Sequence, residues 1–557
     1  MKRVIVWILL IAFILSGLAA VIMADTKHPS MTADPVPKAP AAPKFTDVER
    51  HAELARRRAA VVARMTDNSI LVLFSAEPKL YTNDVDYVYR QENNFYYLTA
   101  LKQDGATLVI TKNGGKITET LFLPKREPRR EAWEGKMYSR EQASQLSGMT
   151  RTVDASERDA MLLAVKNRGT FTSKDGSVTI SGAPTLYLLL PEDQPDQPDV
   201  DGRREFRVEN EFSKELTEYK VENAQPIFAG LRHIKSPYEL KLLQHAIDIT
   251  TEAQLRSMAM VGKAEWEYQV HAEVEYTFRR RNADFWGYPS IVGCGSNATT
   301  LHYVESQSPV KKGDLLLMDV GAEYEHYTAD VTRTFPVNGK FTKEQAEIYQ
   351  IVYDAQEAVA KATKPGVTFG GLSNASRDVI RAGLAKLGLI TAPNATYQIM
   401  RDGKLTDVPQ SGVWNFHGLG HWLGMNVHDV GDYAAPLKAG MVYTNEPGIY
   451  IREDALDYMP DTPANKEFKE KIRQAFEKYK TIGVRIEDDM LVTETGVEWM
   501  TGKLPRKISD IEAFMARASK EFAYTALNDK VPSNIFIDQR SNAAHSSVAR
   551  LPGSSPF

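Results

Sequence analysis

The stretch DLLLMDVGAEYEHYTADVTRTFP, residues 314–336, decides the fold of the second half of this chain. Two apolar runs, DLLLMDV and TADVTRTF, flank the polar residues EYEH, and this pattern predicts a β-hairpin. If the turn is centred between Tyr324 and Glu325, then Asp319 and Asp330 are cross-strand partners. Partners on one sheet face lie ~5 Å apart, where like charges destabilise the sheet.

Two facing carboxylates are tolerated if one of them holds a proton or if a cation lies between them. The alternative is a different register in which one aspartate faces solvent, because the turn lacks the Asn-Gly pair that fixes a hairpin. The segment alone leaves both interpretations open.

Two further acidic residues lie in apolar runs: Glu446 in GMVYTNEPGIYI and Glu487 in TIGVRIEDDMLVT. The second run predicts that Glu487 lies in mid-strand, on the same face as Arg485. Each acid alone is more often a solvated or salt-bridged residue. Together with the aspartate pair they form an oxygen-rich set whose negative charge two divalent cations would compensate. Such ligands favour a hard ion such as manganese, and two metals about 3.5–4 Å apart can activate a hydroxide against an amide carbonyl.

The stretch HGLGHWLGMNVHD, residues 417–429, contains His417, His421 and His428 among the eleven histidines of the chain. Two histidines four residues apart on a helix can share a zinc ion, but the interspersed glycines disfavour that helix. The alternatives are a single ligand histidine in a glycine-rich connection, or ordinary hydrogen-bonded histidines.

The composition is that of a globular protein, with 43% hydrophobic and 25% charged residues in a chain of 557. This length predicts two or more domains. The net charge of −4 and the lack of a long basic run indicate no nucleic-acid partner. The single cysteine, Cys294, excludes an intrachain disulfide and is expected to be a small buried side chain.

The N-terminus, MKRVIVWILLIAFILSGLAAVIMA, has the pattern of an export signal. Its apolar run, residues 4–24, is also long enough to attach the chain to a membrane as an uncleaved anchor. Residues 25–45 are rich in proline and alanine and predict an extended linker. An exported chain without disulfides indicates the bacterial periplasm or cell envelope.

The remaining residues predict a mixed α/β organisation. A charged helix after Thr46 precedes strands at SILVLFSA, NNFYYLTAL, ATLVITK and ETLFLP, within a first domain at 46–222. A second domain, 223–520, begins with the capping box of Ser236 and Glu239, and helices are expected near 264–281, 342–362 and 371–387. The charged residues 466–480 are expected to form an exposed helical insertion. Residues 521–557 are expected to form a C-terminal extension that is partly disordered.

The order Asp319, Asp330, His421, Glu446 and Glu487, within DVGAEYEHYTADVTRTFP, HGLGHWLGMNVHDVG, NEPGIYI and GVRIEDDMLVTETG, resembles the aminopeptidase P and prolidase branch of the methionine-aminopeptidase-like metallopeptidases. In the first half, YVYRQENNFYYLTAL is similar to their N-terminal domain. The resemblance implies an α/β (α+β) fold, in which a creatinase-like N-terminal domain precedes a pita-bread catalytic domain with a curved antiparallel sheet.

The resemblance also implies a centre of two divalent metal ions, Mn²⁺ with Zn²⁺ or Co²⁺ as alternatives. Asp330 and Glu487 would bridge the ions. Asp319 would complete the coordination of one ion, and His421 and Glu446 would complete that of the other. Glu446 would in addition move a proton.

Further pocket residues follow from the same resemblance. His302, His417 and His428 would contact substrate, and His428 would also stabilise the oxyanion. For Tyr450 and Arg485, a structural role and a role at the substrate stay open.

The implied activity is that of an exported aminopeptidase that cleaves peptides with proline at the second position and forms homo-oligomers. A prolidase limited to dipeptides is the alternative, disfavoured by GHWLG and TRTFPVNGKFT. A non-catalytic binding module of the same fold is a remote alternative, because the complete ligand set would then have no purpose.

Overall fold

The computed structural model describes residues 35–191, 206–216 and 218–523, and those up to Phe522 belong to one compact unit. The predicted signal or anchor, residues 25–34 of the predicted linker and nearly all of the C-terminal extension lie outside these residues. Within the described part of the chain, no helix has the length and apolar character needed to cross a membrane.

The first half is built on one six-stranded mixed sheet. Its helices are α1 (Asp47–Arg64), α2 (Asn93–Thr99), α3 (Pro128–Glu134), α4 (Arg140–Ser147), α5 (Arg158–Lys166), α6 (Arg207–Lys214) and α7 (Gln225–Arg232). Its strands are β1 (Ser69–Phe74), β2 (Leu80–Thr82), β3 (Val85–Asp86), β4 (Thr107–Asn113), β5 (Lys116–Leu123), β6 (Thr152–Asp154), β7 (Thr170–Thr172), β8 (Thr179–Ser181), β9 (Thr185–Leu188) and β10 (Lys220–Asn223). The sheet order is β10-β9-β1-β4-β5-β6, and β1 is buried along its whole length because both sheet faces are covered.

Most of the local predictions for this half are confirmed. The charged helix is α1, capped by Thr46 with Glu49 in a capping box, and three of the predicted strands are β1, β4 and β5. The fourth prediction is wrong, because NNFYYLTAL forms helix α2, with Glu92 accepting a hydrogen bond from the Phe95 amide at its start. All residues of α2 are buried, and a short element buried on every side shows no periodicity that separates helix from strand.

The second half combines long helices with short antiparallel strands. Its helices are α8 (Pro237–Met260), α9 (Glu267–Arg280), α10 (Lys343–Ala362), α11 (Phe369–Leu387), α12 (Pro463–Tyr479) and α13 (Ile508–Glu521). Its strands are β11 (Phe285–Trp286), β12 (Ile291–Cys294), β13 (Leu315–Val320), β14 (Ala322–Tyr324), β15 (Tyr327–Thr328), β16 (Val331–Pro336), β17 (Thr396–Arg401), β18 (Lys404–Pro409), β19 (Val442–Asn445), β20 (Gly448–Tyr450), β21 (Gly483–Arg485), β22 (Asp488–Val492) and β23 (Val497–Trp499).

These strands form the three-stranded sheets β12-β13-β16, β11-β14-β15 and β19-β22-β23, together with the pairs β20-β21 and β17-β18. The amide of Glu487 donates to the carbonyl of Thr332 at 3.1 Å, so the strands of one sheet adjoin those of the next. The predicted α/β class and two-part architecture are confirmed.

Helix α8 begins at the predicted capping box, with Ser236 accepting from the Glu239 amide, and the helices predicted near 342–362 and 371–387 are α10 and α11. The exposed insertion predicted at 466–480 is only partly right. It forms α12, which is polar outside but buries Phe468, Ile472 and Phe476 on one face, since three apolar residues at helical spacing make an amphipathic helix.

The hairpin at residues 314–336 exists, but its predicted register is wrong. The turn is centred on Glu325 and His326, both at positive φ, and Asp319 pairs with Thr332 rather than with Asp330. The displacement equals two residues along one strand, which returns each side chain to its original face. Asp330 is therefore a diagonal neighbour of Asp319 on the same face, and the expected proximity of the carboxylates persists.

One hydrophobic core lies on both sides of the predicted domain boundary near residue 222. It contains Phe95 and Tyr97 of the first half with Ile247, Tyr327 and Leu423 of the second, all nearly inaccessible to solvent. The boundary itself stays a prediction. The shared core means that the first half packs directly beneath the segments that carry the functional residues.

Candidate metal centre

The five predicted ligand residues lie at the ends of short strands or in a loop. Asp319 is in β13, Asp330 directly precedes β16, Glu446 follows β19, and Glu487 directly precedes β22. The prediction that Glu487 lies in mid-strand is wrong, since the chain leaves β21 at Arg485 and enters β22 at Asp488. Strand ends position these groups firmly.

The structure brings all five residues together. His421 Nε2 lies 3.2 Å from Asp330 Oδ2 and 3.5 Å from Glu446 Oε1. Ligand atoms of Asp330, His421 and Glu487 lie within 4.8 Å of one another. Asp319 joins the group through the Tyr288 hydroxyl, which lies 2.5 Å from Asp319 Oδ1 and 2.5 Å from Asp330 Oδ1.

Two side chains that contact the predicted ligand residues could not be read from the motifs alone. The Tyr288 hydroxyl contacts both aspartates, and Thr332 donates to Glu487 Oε2 at 2.6 Å. Thr332 could have been found, because it lies two residues after Asp330 on the same strand face. Tyr288 carries no such signal, since it reaches the aspartates only through the fold.

The segment around His421 is an irregular connection, as its glycines predicted, and not a zinc-binding helix. Gly420 lies against Thr444, and a Cβ at this position would overlap the Thr444 carbonyl. This approach lets the His421 amide donate to Thr444 Oγ1 at 3.0 Å. His421 Nδ1 lies 3.0 Å from the Trp422 carbonyl oxygen, so in the neutral ring the proton belongs on Nδ1 and the Nε2 lone pair points to the carboxylates.

The electrostatics of the cluster show that it needs positive charge. Burial, followed by repulsion from neighbouring carboxylates, raises the pKa of Asp330 and raises that of Glu487 far above the ordinary value. Burial and Asp330 likewise raise the pKa of Glu446 to about 7, although His421 opposes the effect. Burial disfavours charge on His421, but the hydrogen bond and charge of Asp330 outweigh it and raise the pKa to about 9.

In the metal-free protein, protons retained on Glu487 and His421 therefore compensate part of the negative charge near neutral pH. An oxygen-rich, buried set with one imidazole and mutually repelling carboxyls fits divalent cations, which replace several protons at once. The residues present are therefore compatible with the metals that the sequence predicted.

The predicted pocket residues surround the cluster. His417 Nε2 lies 2.9 Å from the Tyr450 hydroxyl, to which Arg485 Nη1 donates at 2.9 Å. Arg485 also pairs with Asp319, and both Arg485 and Tyr450 are buried. These two side chains thus connect His417 to a ligand aspartate, which is a structural role; contact with substrate stays untested.

The other two histidines face solvent. His428 is exposed, and its ring centroid lies 4.1 Å from that of His421. His302 is also exposed and follows the short helical turn Gly295–Thr299. Cys294, at the start of that turn, is buried as predicted, and burial raises the pKa of its thiol to about 12.

A second layer of charge lies beneath the centre. Asp488, next to Glu487, forms a fully buried ion pair with Arg333 at 2.6 Å. Asp489 accepts from the Asp330 amide at 3.2 Å, and burial together with Asp330 raises its pKa far above the ordinary value. These contacts fix the backbone at Asp330 and Glu487, in addition to the side-chain contacts of Tyr288 and Thr332.

Comparison with known proteins gives two family matches. Residues 241–494 match the description "Metallopeptidase family M24", and residues 54–171 match "Aminopeptidase P, N-terminal domain". The second match contains Arg90 and helix α2, so it extends to the segment that packs beneath the candidate site.

Individual relatives agree over most of the chain. It is 35% identical over 470 residues to the Xaa-Pro aminopeptidase of Haemophilus influenzae, covering 83% of this chain and 97% of the relative. It is 32% identical over 480 residues to the Xaa-Pro aminopeptidase of Escherichia coli, covering 84% of this chain and 98% of that one. A solved structure of E. coli aminopeptidase P with the inhibitor Pro-Leu superposes with a TM-score of 0.69 at 30% identity, over 86% of this chain and 100% of the other. Both halves match this family, and the relatives agree over most of the chain. The chain therefore belongs to the aminopeptidase P branch of metallopeptidase family M24.

Proposed function

We propose that this protein is a metal-dependent aminopeptidase that hydrolyses the bond between the first residue of a peptide and a proline at the second position. The single observation that carries the proposal is the convergence of Asp319, Asp330, His421, Glu446 and Glu487 in one buried cluster. General peptidases act poorly on such a bond because the proline ring fixes φ and removes the amide hydrogen.

Two divalent ions, Mn²⁺ first and Zn²⁺ or Co²⁺ as alternatives, would be held by these residues. Asp319, Asp330, Glu446 and Glu487 would supply carboxylate oxygens to the ions, and His421 would supply an imidazole nitrogen. When bound, the ions would supply an activated water nucleophile and polarise the scissile carbonyl. The identity and number of the ions are part of the proposal.

The side chains around the cluster have separate proposed tasks. Glu446 is proposed to accept and return a proton during cleavage; one carboxyl oxygen lies 3.7 Å from His417 Nδ1 and the other 3.5 Å from His421 Nε2. His428 is exposed beside His421 and is proposed to donate a hydrogen bond to the developing oxyanion. His302 and His417 are proposed to bind the peptide together with Tyr450, and Arg485 to hold Asp319 in place.

A peptide panel tests the activity. Xaa-Pro-Xaa peptides should lose their first residue in the presence of Mn²⁺, and peptides with alanine at the second position should be cleaved far more slowly. Cleavage of Xaa-Pro dipeptides alone would instead identify a prolidase, an alternative that the relatives do not favour.

Elemental analysis tests the metal centre. The purified protein should contain up to two divalent ions per chain, and an Asp330→Ala variant should bind fewer and lose activity. If the variant and the wild type are equally inactive and metal-free, the protein is a binding module and the proposal fails.

We propose further that the chain is exported to the bacterial periplasm or cell envelope and forms a homo-oligomer. The apolar run at residues 4–24 supports export. Mass analysis of the mature N-terminus separates a cleaved signal from an anchor, and fractionation that finds the chain only in the cytoplasm rejects export. Light scattering of the purified protein gives the oligomeric state.

A further inference from the structure

Residues 421–429, named here the histidine loop, connect two residues of the proposed active site. His421 lies at one end and His428 near the other, and the Asp429 amide closes the loop by donating to the Trp422 carbonyl at 2.8 Å. The loop contains no helix; it forms one β-bridge, between Trp422 and Tyr443, and its Gly424 carbonyl accepts from the Thr328 amide at 3.0 Å. The positions of both histidines therefore depend on what holds the loop from outside.

The tip of the loop, Met425 and Asn426, is held by residues of the first half. Arg90 Nη2 donates to the Met425 carbonyl at 2.8 Å, and the Asn93 side-chain amide donates to Asn426 Oδ1. Arg90 is itself fixed, because its Nε donates to Glu323 at 2.8 Å and its Nη1 to Asn93 Oδ1 at 3.0 Å.

The base of the loop is reached by the same segment through a buried ion network. Asp429, next to His428, pairs with Arg232 at 2.6 Å and with Lys235 at 3.2 Å, and all three side chains are almost fully buried. Arg232 Nη1 in turn donates to Asn94 Oδ1 at 2.9 Å. The run Arg90–Asn94 thus contacts the tip of the histidine loop directly. It contacts the base of the loop indirectly, because Asn94 binds Arg232 and Arg232 pairs with Asp429.

Core packing buries Trp422, Leu423 and Met425 of the loop, but it does not replace these contacts on the side of His428. A cavity of about 370 Å³ lies there, lined by Arg90, Glu323, Met425 and His428 among others. His428 lines this cavity and is exposed, so core packing does not fix its side, and directional hydrogen bonds to the loop tip contribute to its position.

We infer that residues 90–94 of the first half, Arg90 and Asn93 above all, are positioning residues that hold the histidine loop, and with it His428, in the geometry that peptide cleavage needs. The catalytic effect rests on the proposed function; the effect on the loop does not. This assigns a role to the motif YVYRQENNFYYL, which the proposed chemistry leaves unused.

The first test measures the loop directly. In Arg90→Ala, peptides covering residues 421–429 should exchange their amide hydrogens about tenfold faster, which corresponds to the loss of one hydrogen bond. Other peptides of the second half should be unchanged. Asn93→Ala should show the same pattern and serves if Arg90→Ala fails to fold.

The matched control is Lys102→Ala. Lys102 also joins the two halves, through Asp284 at 3.0 Å, but does not contact the loop. Loop exchange in this variant should equal that of the wild type. If it rises as much as in the Arg90 and Asn93 variants, or if those two leave exchange unchanged, the inference is wrong.

The second test measures cleavage of an Xaa-Pro-Xaa peptide. Arg90→Ala should lower kcat on the order of 10- to 100-fold with little change in KM, as expected for misplacement by a fraction of an ångström, whereas Lys102→Ala should keep both. An unchanged kcat alongside a mobile loop would overturn the catalytic part. A wild type without any Xaa-Pro activity would reject the proposed function, and hydrogen exchange would still decide whether the motif holds the loop.

Discussion

Replacing Glu446 with glutamine should remove a defined pH dependence from the stability of the metal-free protein. Burial and the nearby Asp330 raise the pKa of Glu446 from 4.5 to about 7. A carboxyl whose pKa is higher in the folded state than in the unfolded state binds its proton more tightly when folded. Its contribution to stability is present below pH 4.5 and is lost as the pH rises through 7.

The size of the loss follows from the two pKa values. A rise from 4.5 to about 7 corresponds to roughly 3 kcal/mol of unfolding free energy. The Glu446 side chain is 15% exposed, so solvent screens this effect only weakly. The pKa of His421 rises from 6.5 to about 9. This group therefore also lowers the free energy of unfolding as the pH increases from 6.5 to 9.

Urea unfolding of chelator-treated protein between pH 4.5 and 8 measures the effect. The wild type should lose stability with rising pH, and Glu446→Gln should become more stable than the wild type by about 3 kcal/mol near pH 7.5. The exposed residue Glu494 supplies the control, because Glu494→Gln should follow the wild type. Mn²⁺ should reverse the pH dependence of the wild type, since the ions displace the protons from Glu446 and His421 in the folded state while unfolded His421 still binds a proton below pH 6.5. Parallel curves for the wild type and Glu446→Gln without metal would refute the electrostatic account of the cluster.

Three further substitutions test individual contacts. Tyr288→Phe removes the hydroxyl shared by the two aspartates and should weaken Mn²⁺ binding about 10-fold or more, measured by calorimetric titration. Arg485→Lys keeps the charge beside Asp319 but cannot contact Asp319 and Tyr450 with one planar group, so metal affinity should fall on the order of 10- to 100-fold in the same titration. Gly420→Ala places a methyl group against the Thr444 carbonyl and should destabilise the fold by about 1–3 kcal/mol in urea unfolding; unchanged stability would show that the segment can move away.

Much of the fold could be predicted because it depends on contacts between neighbouring residues. The capping boxes at Thr46 and Ser236 and the amphipathic stripes of α8 and α10 are local signals, and each gives a helix at the expected position. Helix α2 is the exception. Its residues are buried on every side, so neither period appears in the sequence.

The candidate site also has one part that can be predicted from the sequence and one part that only the structure shows. The residue types of the ligand set are visible in the sequence, because carboxylates in apolar runs require compensation wherever they lie. The hairpin register is not, since a displacement of two residues keeps every side chain on its face and costs the hydrophobic pattern nothing. The pairing of Asp319 with Thr332 is therefore found only in the structure.

By itself, then, the sequence determined which side chains supply charge and, apart from segments such as α2, which segments are helices or strands, because both follow from chemical type and short-range periodicity. The tertiary structure alone decided that Tyr288 joins two aspartates and that Arg90 holds a loop more than 300 residues away in the chain. Those contacts arise only when distant segments pack on a common core, and no local preference encodes them.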